Sequence, residues 1–360
     1  MKYLFIIQGE GRGHLTQAMT MEKLLRSRGH EVVEMLVGKS ESRKLPSFFL
    51  DGVNAPVTCF ESINFVSAAA DKRPDAVKSV LYNIAVSPKF IPSVSLIRSK
   101  IKESGADVIL NFYELLGTIA HGLTGRRVPM ACIGHQFLFL HEDMHIPEFG
   151  YEGHHALNLF SKAIAAGASK LLALSFRQMP DDGKIKVVPP LLRPEVLSYR
   201  QSPEFRDGDY ILGYMLNAGF AEEVKAWHAK NPSVPLRFFW DNAAEAPVKV
   251  VDDTLSFYYL DDKEFLRQMA GCMAYASTAG FESICEAMYL GKPLMMVPSH
   301  IEQKCNAYDA TRFDAAVESE TFDLDVLLSF ARDGKFRRDE GFPAWALSAA
   351  EVFAKELESM

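Results

Sequence analysis

Between Ser277 and Gln303 the chain reads S-T-A-G-F-E-S-I-C-E-A-M-Y-L-G-K-P-L-M-M-V-P-S-H-I-E-Q. These residue types suit the binding of a nucleotide diphosphate. Small and hydroxyl-bearing residues from Ser277 to Gly280 open a helical pattern, so backbone N–H groups and the positive end of the helix would face the phosphates. Glu286 comes about one and a half turns after Gly280, where a carboxylate can accept hydrogen bonds from two ribose hydroxyls. Gly291-Lys292-Pro293 stops the helix, an apolar strand follows at Pro293–Val297, and Glu302 and Gln303 stand at its end. Ligands of open α/β sheets sit outside the carboxyl ends of the strands, where these groups would converge.

A second group of this kind is G9-E-G-R-G-H14, directly after the short apolar run Lys2–Gln8. Its glycines allow a tight turn and a close approach of ligand to backbone. The spacing departs from the dinucleotide pattern G-x-G-x-x-G, because the third glycine arrives one residue early and His14 takes its place. An imidazole at the mouth of a sheet can deprotonate an acceptor hydroxyl; it can also simply cap the turn.

The elements that must position these groups alternate in both halves. Helical spacing at Leu15–Ser27 follows the first strand, and His30–Leu36 is the next strand. Val94–Glu103 reads as helix, Asp107–Asn111 as strand, Leu115–Leu123 as helix and Pro129–Ile133 as strand. A helix at Ala156–Ala166 and strands at Lys170–Ser175 and Ile185–Val188 complete the first series. After Pro189-Pro190-Leu191-Leu192-Arg193-Pro194, a second series runs from Tyr210–Leu216 through strands at Leu236–Trp240, Leu255–Tyr258 and Met273–Ala276, with helices at Ala221–Ala229, Asp262–Met269 and Gly280–Leu290. This order predicts an α/β protein of two Rossmann-like domains facing across a cleft, residues 1–195 and 196–360, with the last helix packing back on the first domain. Residues 40–93 give no regular reading.

Composition sets bounds. At 360 residues with 48% hydrophobic and 24% charged side chains, the chain reads as globular and large enough for two domains. Its five cysteines form no C-x-x-C pair, so they read as reduced core thiols and neither as disulfides nor as a zinc site. His141, His145, His154 and His155 lack a ligand set at metal spacing. The N-terminus reads as a buried strand and not as a leader, and no stretch approaches the roughly 20 apolar residues of a membrane span; the expected location is cytoplasmic. Residues 1–195 carry 23 Lys and Arg against 19 Asp and Glu, whereas residues 196–360 carry 16 against 27. The basic first half is compatible with an anionic partner or with an ordinary solvated surface. Residues 60–103 mix Phe60, Phe65, Phe90 and Ile91 with Lys72, Arg73, Lys78, Lys89 and Arg98. They form either a face for peripheral contact with an anionic membrane or a lid over the cleft.

The Ser277–Gln303 block resembles the donor motif of GT-B glycosyltransferases. Gly280, Ser283, Glu286, Gly291, Pro293, Pro298, Glu302 and Gln303 match the pattern of plant-type UDP-glycosyltransferases. A likeness to the peptidoglycan N-acetylglucosaminyltransferases runs through most of the chain. G11-R-G-H14 resembles their glycine-glycine-histidine loop, I133-G-H-Q-F137 their H-E-Q stretch and V187-V-P-P-L-L-R193 their asparagine-proline-valine-arginine linker. Y259-L-D-D262 is similar to their base-binding segment and Q303-K-C-N-A307 to the end of their donor motif.

The resemblance implies an inverting, metal-independent hexosyltransferase that moves a sugar from a UDP-sugar donor, with no further cofactor, to a hydroxyl acceptor. A glycan or lipid-linked acceptor of the cell envelope is the expected partner, and no nucleic acid. Glu286 would hold the ribose, and the Tyr259 and Leu260 backbone the base. Thr278, Ala279, Gly280, Ser283, Arg193 and Asn217 would face the diphosphate; Glu302 and Gln303 would face the sugar. The Gly11 and Gly13 loop would sit against the donor, and His14 near the acceptor as general base, with Asn111 or Glu114 to orient it. Thr278 replaces a histidine of the plant-type motif, and Asn111 an aspartate. No Asp-x-Asp triplet of a metal-dependent transferase stands in a suitable loop; Asp252-Asp253 and Asp261-Asp262 read as turn and helix-cap residues. Two alternatives of the same architecture are a nucleotide-sugar epimerase and a non-catalytic nucleotide-sugar binder.

Overall fold

The computed structural model describes residues 1–41, 43–63, 87–147, 153–203, 205–215, 218–240, 242 and 246–360. They divide into two units. One comprises the described residues of 1–191 together with Trp345–Met360; the other comprises those of 192–344.

The first unit is built on seven strands: β1 (Lys2–Gln8), β2 (Glu31–Lys39), β3 (Val57–Glu61), β4 (Val108–Phe112), β5 (Met130–Ile133), β6 (Lys170–Leu174) and β7 (Ile185–Val188). They lie in the order β3-β2-β1-β4-β5-β6-β7 and all pair in parallel. Tyr3 to Ile7 are fully buried without alternation, as expected of a strand covered on both faces. The Arg12–Ser27 helix lays Leu15, Ala18, Met21 and Leu25 on the sheet. It ends where Gly29 turns to φ +79°, with the Gly29 and His30 N–H groups donating back to Arg26 and Leu25. The chain's final helix, Ala349–Glu358, belongs to this unit: Lys170 donates to the Glu356 carboxylate at 2.9 Å and Trp345 to the Ser175 carbonyl at 3.0 Å.

The second sheet holds β8 (Ile211–Met215), β9 (Leu236–Trp240), β10 (Val248–Val250), β11 (Leu255–Tyr259), β12 (Ala274–Ser277), β13 (Leu294–Met296) and β14 (Ala316–Glu318) in the order β10-β11-β9-β8-β12-β13-β14. Only β10 is antiparallel, on β11. Phe238, Trp240, Phe257, Met295 and Phe322 fill its core. Gly213 is obligatory there, because a Cβ would stand 2.1 Å from the Phe238 ring.

Both sheets are doubly wound, so strand order reverses between β1 and β4 in one and between β8 and β12 in the other. Such a switch point opens a crevice at the carboxyl ends of the two strands. The helix that follows β1 carries His14, the end of β4 and the turn after it carry Asn111 and Glu114, and the loop after β12 carries Thr278–Gly280. The sequence-based assignment of these core strands holds within one residue except at the end of β2, which runs three residues beyond the reading, to Lys39. It gives no reading for β3 and for the short helix Ser47–Gly52, and it omits the edge strands β10 and β14. No helix among the described residues is long and apolar enough to cross a membrane.

Candidate active site

In the second unit, β12 runs into a strained turn. Ala279 adopts φ +58°, a left-handed conformation that costs a residue with a Cβ about 1–2 kcal/mol. Three contacts impose it. The Thr278 N–H donates to Tyr214 at 3.3 Å and the Val297 N–H to Ser277 at 2.7 Å. The Asn306 amide donates to the Ala279 carbonyl at 3.0 Å. The turn delivers the chain into the Phe281–Tyr289 helix with Gly280 as its N-cap. The first turn of any helix presents N–H groups that no carbonyl of that helix accepts. The Thr278 hydroxyl and the Asn306 amide oxygen are buried beside the turn without hydrogen-bond partners, and Ser283 donates to the Gly280 carbonyl at 3.1 Å. Such a turn at a helix N-terminus, with the Thr278 hydroxyl free to donate, suits an anion; the Asn306 oxygen can only accept and would take a ligand hydroxyl instead.

Glu286 lies farther along the same helix and is 2% exposed. Arg193, N-cap of the Pro194–Tyr199 helix, grips it with two bonds: Nε to Oε1 at 2.7 Å and Nη2 to Oε2 at 2.8 Å. The third arm, Nη1, reaches Asp262 at 3.1 Å. Burial raises the Glu286 pKa, and the charge of Arg193 opposes that rise. The guanidinium expected to face a diphosphate is held in this structure by two carboxylates. The helix stops as read, with Gly291 at φ +61° and the Gly291 and Lys292 N–H groups closing on Met288 and Ala287.

The remaining donor candidates are placed as follows. The Tyr259 N–H is spent on the Pro247 carbonyl at 2.8 Å, which leaves the Tyr259 carbonyl and the Leu260 backbone at the end of β11. Asp261 caps the next helix by accepting from the Glu264 N–H at 2.8 Å. Glu302 and Gln303 belong to the first turn of the Ile301–Ala310 helix rather than to a strand end. The Gln303 amide oxygen takes the Ser299 N–H and hydroxyl at 2.9 and 2.8 Å, so its NH₂ is what it can offer a ligand. Asn217 lies outside the described residues. Among the described residues, no group of three or more His, Cys, Asp and Glu side chains is arranged to hold a metal ion.

In the first unit, Gly9 is the glycine the loop requires. Its N–H donates to Gly38 at 2.7 Å, and a Cβ there would stand 2.8 Å from the Gly38 carbonyl oxygen. Gly11 faces open space and serves as N-cap of the Arg12–Ser27 helix, whose first turn holds Gly13 and His14. The imidazole is partly buried, stacks on Tyr113 with centroids 5.6 Å apart and bonds through Nδ1 to Gln17 Oε1 at 3.2 Å. An acceptor oxygen at Nδ1 fixes the proton there, so Nε2 keeps its lone pair. Burial lowers the His14 pKa to about 4, and the ring is neutral at pH 7. Tyr113 is itself strained, at φ +60°, and its hydroxyl is tied to Ser161 at 2.6 Å.

Asn111 and Glu114 do not orient His14, contrary to expectation. Asn111 donates to the Glu114 carbonyl at 2.9 Å and to Thr118 at 3.2 Å, and accepts from the Glu114 N–H at 2.7 Å. Glu114 caps the Leu115–Leu123 helix by accepting from Leu116 at 3.0 Å, and takes the Ser62 hydroxyl at 2.7 Å. Its other oxygen is sealed against Gly38 and has no partner. Burial raises its pKa to about 7. Both residues build the turn that carries Tyr113 to His14. The i,i+3 spacing of His14 and Gln17 on one helix was the signal for the true partner. Asn306 was visible only as part of a motif. His135, in the I133-G-H-Q-F137 stretch, is buried and donates to the Leu174 carbonyl at 2.7 Å; burial lowers its pKa to about 3, and it fastens β5 to β6.

The sequence profile of Glycosyl transferase family 1 matches residues 1–333. The chain belongs to that family. A search of curated proteins gave no match. Among solved structures, the glycotransferase of kitacinnamycin superposes with a TM-score of 0.66 at 14% identity, covering 99% of this chain and 98% of that one. Acinetobacter baumannii MurG gives 0.59 at 16%, covering 100% of both. Arabidopsis thaliana UGT89C1, complexed with UDP, gives 0.64 at 14%, covering 99% of both. At these identities the superpositions show the GT-B fold, and the family match makes the chain a glycosyltransferase.

Proposed function

We propose that this family member is an inverting transferase that takes its sugar from a UDP-sugar. One observation carries the reading: an N-terminal helix turn held open by a strained Ala279, with a buried carboxylate farther along the same helix. The diphosphate lies against the turn and the first N–H groups of the Phe281–Tyr289 helix. The ribose hydroxyls donate to Glu286, and the Leu260 backbone meets the base. Glu302 and the Gln303 NH₂ take the sugar hydroxyls. Negative charge that builds on the leaving diphosphate is met by main-chain dipoles and needs no metal ion.

His14 is the general base of this proposal. Its neutral Nε2 accepts the proton of the acceptor hydroxyl, whose oxygen attacks the anomeric carbon from the face opposite UDP. The C–O bond to the diphosphate breaks, UDP leaves as the anion, and the anomeric configuration inverts. A glycan or lipid-linked alcohol is the proposed acceptor, and the protein works in the cytoplasm, peripheral to the membrane. Of the 60–103 stretch read as a membrane face or lid, residues 64–86 lie outside the described residues.

Incubation with a panel of UDP- and dTDP-sugars tests this. Acceptor-dependent UDP release with an inverted product supports the proposal. A new nucleotide sugar without net release would indicate an epimerase, and thermal stabilisation by UDP alone a binder.

A further inference from the structure

The triad Arg193–Glu286–Asp262 has a geometry that a phosphate-binding arginine would not keep. The guanidinium spends Nε and Nη2 on one carboxylate and Nη1 on another. Its side chain is 14% exposed, against 2% for Glu286 and 22% for Asp262. Turning Arg193 towards a diphosphate would abandon a buried carboxylate that has no other cation in contact among the described residues, a cost that opposes such a swing. A carboxylate offers about four lone-pair sites. Arg193 occupies one on each Glu286 oxygen and leaves the others for two ribose hydroxyls.

The third arm matters as much. Asp262 follows Leu260, the proposed base reader, by two residues and sits in the first turn of the helix that Asp261 caps. Arg193 therefore straps the helix carrying the ribose acceptor to the segment carrying the base reader. Pro194 at the first helical position fixes the backbone from which it reaches.

We infer that Arg193 is a positioning residue for the nucleoside: it orients Glu286 towards both ribose hydroxyls and sets the spacing between ribose and base, and it does not contact the diphosphate. This rests on the donor site proposed above. It predicts a phosphate-independent effect on binding.

Calorimetric titration of the intact protein with UDP, uridine and 2′-deoxy-UDP, on wild type, Arg193→Ala and Arg193→Lys, tests it. Thermal melts confirm that each variant is folded, and Arg193→Lys keeps the charge should the alanine variant not fold. The inference expects both variants to weaken UDP and uridine by the same factor, tenfold or more for alanine, and to shrink the wild-type preference for UDP over 2′-deoxy-UDP. A loss confined to UDP, with uridine unchanged, would place Arg193 on the diphosphate and overturn it. An equal loss for UDP and 2′-deoxy-UDP would reduce the residue to general structure and also overturn it. Wild-type protein that binds none of the three would remove the donor site itself, and the inference with it; that failure is distinct because it shows before any variant is made.

Discussion

Replacing Glu286 by leucine and Arg193 by methionine, singly and together, separates what the buried pair does for stability from what it does for binding. Glu286→Leu leaves the Arg193 guanidinium buried with only its 3.1 Å contact to Asp262. Stranding a charge in this way costs about 3 kcal/mol or more. For a unit of roughly 150 residues, that lowers Tm by about 9 °C. The Arg193→Met/Glu286→Leu double variant replaces both charges with apolar groups of similar volume, and such swaps are close to neutral. Its Tm should recover to within about 3 °C of wild type. Binding should not recover. Two hydrogen bonds from ribose to a charged acceptor are worth about 1.5 kcal/mol each at the low end, so UDP affinity should fall about a hundredfold. Differential scanning calorimetry and isothermal titration read the two effects on the same samples. A double variant as unstable as Glu286→Leu would refute the stranded-charge argument, and one that binds UDP like wild type would refute the ribose assignment.

Other expectations follow from the geometry of each site. His14→Ala should lower the rate of transfer while UDP affinity stays at the wild-type value; an unchanged rate removes it as base. Because the His14 pKa is lowered to about 4, folded protein withholds a proton that the unfolded chain binds near pH 6.5, so stability should erode as pH falls from about 6.5 towards 4. His14→Phe should flatten that part of the pH–Tm curve. Glu114 behaves in the opposite sense: its pKa rises to about 7, so the folded state holds a proton the unfolded chain has lost, and stability should decline as pH rises from about 4.5 through 7. The stability of Glu114→Gln relative to wild type should therefore improve between pH 5 and pH 8, and no change would place the proton elsewhere. At Ala279, Gly removes the backbone strain and Val worsens it. Ala279→Val should lower Tm by several degrees and weaken UDP binding, whereas Ala279→Gly should change Tm by at most a few degrees, because the strain relieved and the methyl burial lost are each about 1 kcal/mol.

The fold was legible because a parallel sheet writes its strands as short apolar runs between glycines and caps. Tyr3–Ile7 and Leu236–Trp240 are examples, and Gly29 and Gly291 end helices by a backbone conformation that favours glycine. The strand β3 escaped because V-T-C-F-E is a sheet edge, half-exposed and without a clear period. Within the sites, Glu286, Ser283 and the 278–280 turn could be picked out by type and spacing along one helix. Asn111 could not be assigned by its type: an amide can orient an imidazole or close its own turn, and only coordinates show that it bonds Glu114 and Thr118. Arg193 shows the same limit. Nearly a hundred residues separate it from Glu286, and nothing local reveals that a guanidinium suited to phosphate is held by two carboxylates. Tyr113 and Ala279 are the two strained residues at these loops, and neither residue type announces a positive φ.

Central to this account is that a uridine diphosphate seats on the second unit's own loops. A crystal soaked with UDP measures this directly. The account predicts pyrophosphate density against the Ala279 turn and the first turn of the Phe281–Tyr289 helix, with ribose oxygens within hydrogen-bond distance of Glu286 while Arg193 keeps its grip on that carboxylate. Density away from this turn, or a ribose with no contact to Glu286, would contradict it.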